Sequence, residues 1–196
     1  MIVILPFVLL GLGVGIAAGG SFRNFDAIRI RWWGLAIAGP AVQLLPVEGE
    51  RWLGSGLLIV SYGLMLTFVF CNRKLPGAWI LAVGLLMNLA VVAPNVGMPV
   101  SADAIRVASE GEVVDEAWFS SDARHHLMTD DDVMRPLGDV VPIPSPVKTV
   151  VSPGDIVLYA GVGIVTFLVL TGRFDPSEIP EPRRRRDRYR GRHIAR

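Results

Sequence analysis

Two aspartates, two asparagines and a histidine pair are the residues best placed to do chemistry in this chain. Asp139 stands in Leu137-Gly138-Asp139, just before a proline-rich stretch, and Asp155 in Ser152-Pro153-Gly154-Asp155-Ile156, at the head of an apolar run. A carboxyl at a lipid–water boundary has its pKa raised by desolvation, and two close together push their pKa values apart. Asp139 and Asp155 are therefore the catalytic candidates, as a dyad sharing one proton and activating water. Asp155 has a second reading. Ser152 followed three residues later by an acid is the pattern of a helix capping box, worth about 1 kcal/mol of stability and needing no function.

Asn88 and Asn95 lie seven residues apart in an apolar run, almost two helical turns, so both amides share a face, with Gly84 one turn before. Polar groups inside such runs are expensive and mark binding or catalytic sites unless a neighbouring helix or a frayed helix end absorbs them. His126 joins them as a binding candidate, and Asp103 stands near the start of the same polar segment. His125-His126 followed by Asp130-Asp131-Asp132 could suggest a metal. Adjacent histidines point different ways, however, and neither a zinc spacing nor a calcium-loop pattern is present. No metal and no cofactor is expected. No G-x-S-x-G, Walker loop, H-E-x-x-H or dinucleotide fingerprint occurs at a strand-to-helix junction.

These residues sit in an unusual frame. The 196 residues are 52% hydrophobic and 19% charged, with a mean hydropathy of +0.48, and the apolar residues are segregated into long runs. That excludes a soluble globular enzyme and a disordered chain. Cys71 is the one cysteine, which excludes an intrachain disulfide. A helix needs about 20 mostly apolar residues to cross a bilayer. Runs over about 1–20, 28–47, 52–70, 77–94 and 155–171 meet that requirement, the second only if Arg29 and Arg31 snorkel and the helix kinks at Gly39-Pro40; a re-entrant hairpin is the other reading there. The absence of Lys or Arg before Arg23 argues for a retained first span rather than a cleaved leader. The expectation is an all-α integral membrane bundle of about five transmembrane helices, a membrane domain over residues 1–173.

Orientation follows from charge. With the N-terminus outside, inner segments carry Arg23, Arg29, Arg31, Arg73, Lys74, Arg173 and the tail arginines; outer ones carry Arg51, Arg106, Arg124, Arg135 and Lys148. Basic residues collect on the cytoplasmic side, so the N-terminus is expected outside and the C-terminus in the cytoplasm of a cell-membrane protein. The 59 residues from 96 to 154 then form an outer segment. It is strongly acidic but interrupted by apolar residues, and is expected to be a compact cap, with Pro142, Pro144 and Pro146 imposing an extended return. Gly11, Gly15 and Gly19 line one face of the first helix, for an oligomer seam or for packing within the chain. The tail, 174–196, ends in Arg183–Arg186, Arg188, Arg190, Arg192 and Arg196 and reads as a disordered extension drawn to anionic inner-leaflet lipid. A nucleic-acid arm would want interleaved aromatics, and Tyr189 stands alone.

Taken in order, Asn95-x-Gly97-Met98-Pro99-Val100, His126-Leu127-Met128, Leu137-Gly138-Asp139 and Ser152-Pro153-Gly154-Asp155 resemble the motifs of a bacterial multi-pass membrane protein family catalogued only as a domain of unknown function. The resemblance covers about residues 1–173 and implies a bacterial cytoplasmic membrane and a functional outer face, with no reaction attached. A fainter similarity is to lipoprotein signal peptidases, whose two catalytic aspartates sit at the outer ends of spans, one just before the last helix. Asp155 matches that placement and Asp139 could stand for the other. Val140 departs from that family's Asn-x-x-Asp-Arg pattern, and no Asn-Ala-Asp precedes the last span. The expected role is a non-enzymatic scaffold or partner-binding protein, its partner in the membrane, with a polar site of Asn95, His126, Asp139 and Asp155. The alternatives are an intramembrane aspartic hydrolase, with Asn88 or Asn95 orienting the scissile carbonyl, and then a small transporter.

Overall fold

A computed structural model describes residues 3–47, 50–111 and 123–174. The basic tail and the aromatic pair Trp118 and Phe119 lie outside the described residues. The structure is mostly helical: α1 (Ile4–Ala17), α2 (Trp33–Gln43), α3 (Arg51–Cys71), α4 (Ala78–Asn95), α5 (Ala102–Ala108) and α6 (Pro153–Leu170), with 3-10 turns at Phe22–Ala27 and Arg135–Leu137. Of these, α3, α4 and α6 are long and apolar enough to cross a membrane. Helix α1 has 14 residues and α2 has 11, each shorter than the apolar run that holds it.

The helices touch in the order α2, α3, α4, α6, α1. The apolar core lies between α3 and α4, where Leu58, Tyr62 and Val69 meet Ala82, Leu85, Val91 and Val92, and Met98 closes one end. Helix α2 is fixed to α3 by a polar staple: Gln43 Nε2 donates to Ser61 Oγ (2.8 Å), which donates to Gly39 O (2.7 Å). Pro40, inside α2, has no N–H for the helix ladder. Helix α1 packs on α6 through its small residues. A Cβ on Gly11 would overlap the Gly163 carbonyl, and one on Gly15 would press on Leu170. The first-helix glycine face therefore serves packing within the chain at Gly11 and Gly15, while Gly19 faces nothing within 4 Å.

Between α4 and α6 the all-α expectation needs correcting, because the segment 96–154 also contains strands. The chain leaves α4 through Val96 and Gly97, both at positive φ (50° and 134°), and passes into β1 (Met98–Val100). Strand β1 pairs in parallel with β2 (His125–Leu127), in the register Met98↔His125 and Val100↔Leu127. On its other side β1 is bridged by Asp139: the Asp139 N–H donates to Pro99 O (3.0 Å) and Ser101 N–H to Asp139 O (2.9 Å). A separate antiparallel hairpin, β3 (Val141–Ile143) and β4 (Thr149–Val151), delivers the chain to α6. The proline-rich return is thus a hairpin rather than a single extended strand. Its extended part coincides with Pro142, and the chain reverses over residues 145–147.

Candidate functional site

Asp155 is built into a lock between α4 and α6. Ser152 Oγ accepts from the Asp155 N–H (2.9 Å), and Asp155 Oδ2 accepts from the Ser152 N–H (3.2 Å), which completes the capping box that the sequence suggests. The other carboxylate oxygen accepts from Asn88 Nδ2 (2.7 Å), and Asn88 Oδ1 accepts from Ser152 Oγ (2.8 Å). Asn88 is fully buried. Its amide therefore spends donor and acceptor on the neighbouring helix's cap. The approach depends on two glycines: a Cβ on Gly154 would overlap Asn88 Oδ1, and one on Gly84 would stand 2.7 Å from Gly154 O. Backbones come this close because neither position has a side chain. Tyr62 of α3 completes the surroundings, within reach of Asn88 and in the field of both aspartates.

Asp139 is held differently. Its backbone is fixed to β1, and its residue is 7% exposed. Its carboxylate is given no hydrogen-bond donor among the described residues; the neighbouring charged atom is His125 Nε2 at 3.9 Å. Burial pushes the Asp139 carboxyl up to about 7, His125 opposes the rise and the charge of Asp155 adds to it. Asp139 and Asp155 thus feel each other, but only Asp155 is saturated with local bonds.

The histidine pair divides its work across β2, because successive side chains of a strand face opposite ways. His125 faces Asp139, while His126 meets Asp132, Nε2 to Oδ1 at 2.9 Å. The other Asp132 oxygen accepts from the Thr129 N–H (2.6 Å) and Thr129 Oγ1 (3.0 Å). Burial raises the Asp132 pKa, but the bonds from His126 and Thr129 outweigh it, so the carboxylate sits below its ordinary range. His126 Nδ1 is buried without a partner among the described residues, and it would lie 3.3 Å from a Cβ at Gly97. Among the described residues, no three His, Cys, Asp or Glu side chains converge as a metal site.

Asn95 ties the cap to the end of α4. Its Nδ2 donates to Val91 O (2.9 Å) and Val133 O (2.8 Å), and its Oδ1 accepts from the Val133 N–H (2.8 Å). It satisfies a helix-end carbonyl and imitates a strand partner at once. Asp103 stands apart, its side chain exposed and paired with Arg106 at 2.7 Å. The structure therefore gathers Asn88, Asp155, Asp139 and, through β1–β2, His126 and Asn95 around one end of α4, and leaves Asp103 outside. Tyr62 is a member that the sequence reading passed over; a hydroxyl in the middle of an apolar run was the available signal. His125 was weighed there only as a metal ligand, though strand alternation would have separated it from His126.

The chain belongs to the family of unknown function DUF5317, which matches residues 27–168. It is 30% identical over 129 residues to an uncharacterized protein of Thermotoga maritima, spanning 63% of this chain and 70% of that one. No solved structure matches. The similarity to lipoprotein signal peptidases is not shown by these matches.

Proposed function

We propose that this is a five-span cell-membrane protein, N-terminus outside and C-terminus cytoplasmic, whose outer cap presents a polar recognition site centred on Asp139 to a membrane-protein partner. In this reading α1 and α2 extend through the membrane with their flanking residues, and the segment 96–154 lies outside. Large apolar side chains turned outward, among them Leu10, Ile37, Trp52, Phe70, Trp79 and Leu86, support a lipid surround, since such continuous patches are unusual in water. The observation that carries the site is the Asp139 carboxylate, largely buried beside His125 Nε2 at 3.9 Å and held by burial at a pKa of about 7. Taking a carboxylate largely out of water costs free energy, and such a cost is retained where a partner's donor binds it.

Photo-crosslinking tests this reading. Met134 is exposed beside the Asp139 turn, so a benzophenone side chain placed there in the full chain should give one discrete adduct in cells. That adduct should disappear with Asp139→Asn. An adduct pattern indifferent to Asp139→Asn would overturn the reading. Orientation is checked separately: in a Cys71→Ser background, a cysteine at Asp131 should react with a membrane-impermeant maleimide on whole cells, and one at Lys74 should not.

The mutual field of Asp139 and Asp155 favours a second reading, an intramembrane aspartic hydrolase in which the two carboxyls share one proton and activate water. That chemistry requires both carboxylates, so Asp155→Asn and Asp139→Asn would each abolish turnover. Recognition requires only Asp139.

A further inference from the structure

The end of the molecule remote from this cluster carries a cavity of about 300 Å³ lined by Arg29, Arg31, Asn72, Arg73 and Lys74. Its lining contains four cations and no acid. Among the described residues none of the four makes an ion pair, whereas Arg106 and Arg135 in the segment 96–154 each hold an aspartate. Asn72 builds the frame. Buried at the end of α3, it accepts from the Arg31 N–H (2.8 Å) and donates to Arg31 O (2.8 Å) and Phe68 O (2.8 Å). Those bonds pin the segment before α2 against α3, so Arg29 and Arg31 are presented beside Arg73 and Lys74. The bias of basic residues toward this side accounts for their presence in these loops but not for their being held together around one cavity. An anion at its centre accounts for that.

A second, apolar groove of about 400 Å³ adjoins the cavity. Leu66, Trp79 and Leu86 line it along α3 and α4, and it shares Phe70 and Arg73 with the basic cavity. Arg73 stacks on Phe70, its guanidinium carbon 5.0 Å from the ring centroid, where the two spaces meet. A basic cup continuing into an apolar trough along a membrane helix has the shape and polarity of a lipid: phosphate in the cup, acyl chain in the trough. We infer that this is a binding site for an anionic phospholipid of the inner leaflet, separate from any attraction of the tail. The inference rests on the membrane reading and is independent of any role for Asp139. A free phosphate would use the cup and leave the trough idle.

Native mass spectrometry of the full chain in detergent tests it, with phosphatidylglycerol, phosphatidylcholine and inorganic phosphate as probes. Wild type should retain one phosphatidylglycerol at least tenfold more than phosphatidylcholine. The double variant Arg31→Gln/Lys74→Gln should lose that preference, and Trp79→Ala should weaken retention severalfold. A chain with all eight tail arginines changed to glutamine should retain the lipid like wild type. Retention unchanged in the double variant, retention abolished by the tail changes alone, or full displacement by millimolar phosphate would each overturn the inference. Arg31, Lys74 and Trp79 are exposed, so melting temperatures within a degree or two of wild type should accompany the loss; a double variant that melts much lower would instead show the four cations to be structural. Detergent has no leaflets, so an error in the proposed orientation leaves the result unaffected.

Discussion

Two carboxylates close to the same end of α4 live in opposite circumstances. Asp155 spends its oxygens on a backbone amide and a buried asparagine, and its own N–H on the cap serine. Asp139 is buried nearly as a core residue is, and among the described residues its carboxylate has no hydrogen-bond donor, with His125 Nε2 standing 3.9 Å away. The difference teaches where to look for function. A saturated carboxylate explains itself through the helices it joins, and a frustrated one does not.

The comparison can be broken most forcefully at the helix contact. Gly154→Leu should prevent α6 from docking on α4, because its Cβ already overlaps Asn88 Oδ1; the expected result is failure to recover folded protein, checked by size exclusion in detergent. Next comes Asn88→Leu, which strands an Asp155 oxygen and the Ser152 hydroxyl, at a cost of about 3 kcal/mol, read as a melting temperature lower by many degrees. In the cap, Asp132→Ala removes the His126 and Thr129 bonds together and should cost about 1–2 kcal/mol. Because folding lowers the Asp132 pKa, its contribution is present above the ordinary value of 3.8 and is lost as pH falls below it. Hydrogen exchange at β2 should report that loss while α3 and α4 remain protected. Smallest is Asp103→Ala. This exposed i,i+3 pair with Arg106 should change stability by under about 0.5 kcal/mol, and a larger effect would mean that the cap surface has a role the cluster does not include.

How much of this was legible beforehand follows from the range of the interactions. The capping box at Ser152 and Asp155 is local, three residues apart, and the sequence pattern predicts it. The apolar runs likewise foretell α3, α4 and α6. Asn88 was legible as an anomaly but not as Asp155's partner, since the bond spans 67 residues and depends on Gly84 and Gly154 letting two backbones close. The parallel pairing of β1 with β2 was not legible. Each strand has three residues, too few for a period-2 pattern to register, and their partnership is set by where α4 ends and how Asn95 holds Val133. Asp103, a candidate taken from its place near a motif, lies apart from the cluster, exposed and paired with Arg106.

The account's central claim is that Asp155 holds the fold while Asp139 is kept against the fold's interest. The measurement is thermal unfolding of the full chain in detergent across pH 4 to 8, for wild type, Asp139→Asn and Asp155→Asn. Folding raises the Asp139 pKa from 3.8 to about 7, so the folded state binds its proton more tightly and this group's contribution makes stability fall as pH rises through that window. The account predicts that Asp155→Asn melts several degrees below wild type throughout. Asp139→Asn should match wild type near pH 4 and melt above it at pH 8, with the downward slope gone. If Asp139→Asn melts several degrees below wild type at pH 8 while Asp155→Asn is unaffected, the roles are reversed and the claim is wrong.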